Sequence, residues 1–255
     1  MFGFVRTVRN IDKVWMREFE VAGEIVETLR LQFAHLMREA LRNLLVLRTQ
    51  PQSIPDGIRG KSLRLMLEQP DYWEYRLFAQ VLIDEIAIYR DLRAEHRIGI
   101  ALGQGEWIES FEAMTWIKTR TAEIRRILVM LEVLMSQHLQ AALGQPGNSG
   151  DADGIVFCAR RVAALYAEVL EWSQRIRRAH APECFEPVLV ETARATDDII
   201  EQLEKYGPSV LAGIEELIAT PSDGSARHID FVLAFQLSNQ DRMHEALRRA
   251  QQECF

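Results

Sequence analysis

The chain has 255 residues, 48% of them hydrophobic and 26% charged, so it holds ample apolar material for a sizeable core. Its formal net charge of −7 argues against broad nucleic-acid binding, because proteins that neutralise phosphates carry a basic surplus. The longest apolar run, Ile127 to Met135, is interrupted by Glu132 and is far too short for a membrane span.

The opening residues alternate weakly in hydropathy, with Phe2, Phe4 and Val8 on one side, which predicts a short strand over 2–8. They lack the apolar run of a secretory signal. Asp12 is placed to cap a helix whose apolar positions Ile25, Leu29, Phe33, Leu36, Leu44 and Leu47 carry it to about Thr49. Pro51 and Pro55-Asp56-Gly57 stop that helix in a turn-rich loop. A short helix is expected from about Lys61 to Glu68, then a longer one from a cap at Asp71 to Leu102, ended by Gly103-Gln104-Gly105.

A long helix follows from Glu106 to Leu143, with Ile124, Leu128, Leu131, Met135, His138 and Ala142 on one face. Residues 144–154, rich in glycine and without a large apolar side chain, read as an exposed, mobile loop or a sub-boundary. From Cys158 the seam Cys158, Val162, Leu165, Val169, Trp172, Ile176 keeps one helix face apolar to about His180. Val188, Ala195, Ile199 and Leu203 mark another helix, and Gly207-Pro208 predicts a break and restart before Val210 to Ile218. Ile229 to Leu237 then alternates every second residue, the period of a strand, with 2–8 as its expected partner. A final helix follows a cap at Ser238 or Asn239.

The fold class is therefore mainly α: a single elongated domain over residues 1–255, built as a bundle of six to eight helices with a small terminal β element. The five tryptophans read as core or interface anchors. Cys158, Cys184 and Cys254 are odd in number and lack a C-x-x-C, so reduced thiols and a cytoplasmic setting are expected. Four lysines against 26 arginines suit the codon usage of a GC-rich bacterial genome.

Few constellations point to chemistry. Gly60-Lys61-Ser62 and Val81-Leu82-Ile83-Asp84-Glu85 resemble the two halves of a nucleotide-hydrolysing site, in which glycine amides and a lysine cradle phosphates while acids hold Mg²⁺ and water. Pro55 stands where the first glycine belongs, and no alternation of strand and helix surrounds either piece. Asp84 and Glu85 interrupt an apolar stretch, so at least one should be partly buried and paired with an arginine of another helix. A functional role in a pocket is the alternative for these two acids.

A metal-independent RNase of the HEPN type would use an arginine and a histidine four to six residues apart, acting on the ribose hydroxyl and the phosphate. Arg30/His35, Arg90/His96 and Arg175/His180 have that spacing, and only Arg90 is followed by a polar residue, Asp91. In a chain this rich in arginine, chance supplies about as many such pairs, and the resemblance covers these few residues only. No histidine has glutamate three residues before it, so no helical carboxylate metal site is expected, nor any cofactor. Arg175, Arg177 and Arg178 crowd a helix C-terminus, where the helix dipole favours cations without any ligand.

The expectation is thus a non-enzymatic helical protein of a bacterial cytoplasmic system, acting through a protein partner or self-association, with no membrane, and with nucleic acid disfavoured but left open. A helical RNase is the alternative. The candidate site residues are Arg90, His96, Arg175, His180, Asp84 and Glu85.

Overall fold

The computed structural model describes residues 22–49, 54–144, 148–219 and 237–254. These are overwhelmingly helical. The chain divides into two compact units, residues 1–52 and 53–255, and the 144–154 segment falls inside the second. The first unit contributes α1 (Ala22–Thr49). The second contains α2 (Gly60–Glu68), α3 (Trp73–Ile86), α4 (Arg90–Ile98), α5 (Ser110–Val133), α6 (Gln140–Leu143), α7 (Ala152–Arg178), α8 (Glu186–Arg194), α9 (Asp197–Ala219) and α10 (Gln240–Cys254). No helix is long and apolar enough to cross a membrane.

The second unit is organised around α7. Asp151 caps it by accepting from the Asp153 amide at 3.1 Å, so the helix begins at Ala152. Its expected seam is buried except for Leu165, which is half-buried, and Tyr166, Ala167 and Leu170 are buried as well. A helix apolar on so much of its surface must be surrounded, and α3, α5, α8 and α9 pack against it. Leu77, Leu82, Ile199, Ile200 and Leu203 complete the largest part of the core.

Several sequence expectations are corrected. The helix expected to run from Asp71 to Leu102 is two helices, because Ala87–Tyr89 tightens to a 3₁₀ turn and Gly99, at φ 74°, closes α4. The long helix starts at Ser110 and widens to a π turn over Leu134–Leu139. One added residue per turn shifts the buried register, so Leu139 is buried and His138 faces solvent. Gly207-Pro208 does not break α9, which runs through it. A Cβ at Gly207 would stand 3.0 Å from the Ala79 carbonyl, so α9 crosses α3 closely there, and packing overrides the missing proline amide.

The terminal β element has no support among the described residues. Residues 2–8 and 229–236 lie outside them, as do Asp12 and Trp15, and Leu237 is in neither helix nor strand. Of the described residues in the 144–154 segment, Gly144, Asn148, Ser149, Asp151 and Asp153 are exposed, as expected, while Gly150 N donates to Glu74 Oε1 at 3.3 Å and Asp151 N to Ala142 O at 2.7 Å. The thiol expectation is also corrected. Cys184 and Cys254 form a disulfide across 70 residues, with Cα atoms 6.2 Å apart, and only Cys158 is free. Such spacing carries no local motif; folding of α10 against α8 brings the pair together.

Candidate functional site

A cavity of about 720 Å³ opens where α4, the end of α7, α8 and the start of α9 meet. Arg93, Arg97, Arg177 and Arg194 line it together with His96 and His180, in a chain of net negative charge. Glu186, Asp197 and Glu201 also face it, and Ile98, Leu189 and Val190 give part of the wall an apolar character.

His96 is the anchor. It sits one helical turn after Arg93, and its side chain is only 4% exposed. Its Nδ1 lies 3.1 Å from an Arg93 guanidinium nitrogen. Its Nε2 lies 3.3 Å from Arg177 and 3.4 Å from Asp197 Oδ1. A guanidinium only donates and one faces each ring nitrogen, so a neutral His96 can accept from Arg93 or from Arg177 but not from both. Arg177 also donates to the His96 carbonyl at 2.6 Å. Burial pushes the Arg177 guanidinium down from its ordinary value, and Asp197 opposes that.

Beneath this cluster Arg93 pairs with Glu204 at 3.0 Å, and Glu204 accepts from the Tyr166 hydroxyl at 3.4 Å. Burial, with Glu204 nearby, raises the Tyr166 phenol well above its usual range. Arg93 and Arg177 are thus committed to the fold of the cavity. Arg97 has no hydrogen bond or ion pair among the described residues, and Arg194 is half exposed beside Glu191 at 3.5 Å. These two, with exposed His180, are the groups with donors to spare.

His180 is positioned by a loop that folds back on the end of α7. Its N donates to Glu106 O and its carbonyl accepts from Ile108 N, both at 2.8 Å, as an isolated parallel bridge with Trp107. The contact requires a glycine: a Cβ on Gly105 would stand 2.2 Å from the Arg178 carbonyl and 2.8 Å from the His180 ring. Arg178 pins the same loop by donating to Leu102 O at 2.6 Å.

The sequence candidates separate accordingly. His96 and His180, from different Arg/His pairs, meet in one cavity, while their motif arginines do not line it. Arg90 is 82% exposed and pairs with Asp91 at 3.5 Å. Arg175 pairs with Glu123 at 3.5 Å. Glu85 is half-buried and accepts from Arg160 of α7 at 3.0 Å, and Arg160 also donates to the Asp56 carbonyl. Asp84 is exposed, accepting from Gln80 at 2.9 Å and from Ser62 at 3.1 Å. Ser62 and Asp84 therefore do meet, but Val81 to Glu85 lies in α3, not on a strand, and Lys61 points to solvent.

Arg93, Arg97, Arg177, Arg194 and Asp197 were not singled out as cavity residues by sequence reasoning. The basic end of α7 was visible, but the convergence of α8 and α9 on it was not. Among the described residues no group of three metal-ligating side chains is close enough to hold an ion. The chain matches no protein-family model, no curated protein and no solved structure.

Proposed function

We propose that the chain is a non-enzymatic helical binding protein whose cavity holds an oxyanion, a carboxylate or a phosphate, joined to an apolar body. The observation that carries this reading is the convergence of Arg97, Arg194 and His180 on one cavity beside the apolar surface of Ile98, Leu189 and Val190. Guanidinium forks match the planar or tetrahedral oxygens of such groups, and the apolar wall suits what the anion is attached to. Two of the three acids on the wall, Asp197 and Glu201, already face other cations, while Glu186 is exposed. Asp197 lies 3.4 Å from His96 Nε2 and 3.8 Å from Arg177, and Glu201 accepts from Lys205, which holds its carboxyl below the usual range. His96 is buried with a guanidinium beside each ring nitrogen, so it supports the cavity rather than serving as a free base.

Calorimetric titration with phenyl phosphate and with benzoate tests this, benzyl alcohol being the neutral control. Both anions are expected to bind and the alcohol not. Arg97→Ala and Arg194→Ala should each weaken binding roughly tenfold or more, since a hydrogen bond to a charged group contributes about 1.5–3 kcal/mol. Absence of anion binding at millimolar concentration would sink the reading. The meeting of two histidines with arginines favours one alternative, a helical RNase. RNA cleavage by the purified chain, lost in His180→Ala, would establish that reading instead.

A further inference from the structure

We infer that α1 is a self-association element that pairs antiparallel with α1 of a second copy of this chain. The helix exposes Ile25, Leu29, Phe33 and Leu36 on one stripe, flanked by Val26 and Met37, and Phe33 and Met37 remain 68% and 71% exposed. Among the described side chains of this 28-residue helix, the stripe from Ile25 to Met37 is a contiguous apolar surface of the kind that marks an interaction site.

The spacing of the stripe identifies the partner. In sequence it reads Ile25, Leu29, Phe33, Leu36, Ala40, Leu44, Leu47, with steps of four, four, three, four, four and three. Reversed about the point between Ala34 and His35, Ile25 falls on Leu44, Leu29 on Ala40 and Phe33 on Leu36. The stripe is thus its own complement in the reversed direction, which is the condition for an isologous two-fold interface. A four-four-three repeat also lets two nearly straight helices keep the stripe in contact.

Charge points the same way. Glu24 and Glu27 lie near the start of α1, with Arg30 at 3.7 Å from Glu27, and Arg38, Arg42 and Arg48 lie in its second half with Glu39, so the first half is net acidic and the second net basic. A reversed copy sets the acidic end beside the basic one and opposes the two helix dipoles, whereas a parallel copy sets like against like. In sequence these charges fall between the stripe positions, so they orient the pair while the apolar residues hold it.

The test uses the full chain. Light scattering should give twice the chain mass, and Phe33→Glu should give the monomer with the circular dichroism of the second unit's helices retained. A spin label at Ile25→Cys then reports direction. An antiparallel pair places the two labels about 28 Å apart along the axis at 1.5 Å rise per residue. A parallel pair places them at about the 8–10 Å spacing of two packed helices. A monomer at all concentrations, a dimer indifferent to Phe33→Glu, or a short distance between the labels would each overturn the proposal.

Discussion

At the scale of single residues, burial decides which groups keep their protons. Burial pushes the Tyr206 phenol up to about 12 and raises Tyr166 further, the latter with Glu204 beside it. A phenol raised in the folded chain contributes its stabilisation fully below its unfolded value of about 10 and loses it as the pH climbs toward the folded one. The chain should therefore lose stability above about pH 10. Both phenolates should form only as the helices melt, followed by phenolate absorbance alongside circular dichroism. Ionisation of both before any loss of helix would contradict this. Glu85 is a second case. Its pair with Arg160 leaves the two side chains 28% and 34% exposed, so solvent screens it, and Glu85→Ala should cost only about 1 kcal/mol in a denaturant titration. A loss of several kcal/mol would mean the pair is far drier than its exposure indicates.

At the scale of elements, the disulfide and the loop of residues 99–109 do what no local sequence signal announces. Cys184–Cys254 fastens α10 to the turn before α8, closing a separation of 70 residues. Loop-closure entropy for that length gives about 4 kcal/mol, an upper figure when native strain is ignored. Cys254→Ser should lower stability by about 2–4 kcal/mol, and alkylation of the unfolded, unreduced chain should label one thiol of three. Labelling of all three would contradict the pairing. Much of the helical pattern was legible: the α7 seam, the start of the short helix near Lys61 and the stripe of α1 all follow from three- and four-residue spacing. The π turn was not, since a single added residue leaves the composition unchanged while moving the buried position from His138 to Leu139. Nor was the continuity of α9, where close contact with α3 at Gly207 outweighs the proline.

At the scale of the molecule, the candidate site exists only because distant segments converge. His96 and His180 were legible as candidates by type, but their motif partners Arg90 and Arg175 are taken up by Asp91 and Glu123. The cavity is completed instead by Arg194 and Asp197, whose role depends on how α8 and α9 turn at Ala195 and Thr196. Pattern reading sees faces of helices, not the places where three helix ends meet. The proposed role of this meeting place is to receive an oxyanion with an apolar body. The most direct measurement is a titration with phenyl phosphate followed through the histidine ring signals by heteronuclear magnetic resonance. Saturable shifts are expected at His96 and His180, with small or absent shifts at the other four histidines and loss of the response in Arg97→Ala. Unchanged His96 and His180 signals, or saturable shifts confined to His35, His138, His228 or His244, would contradict it.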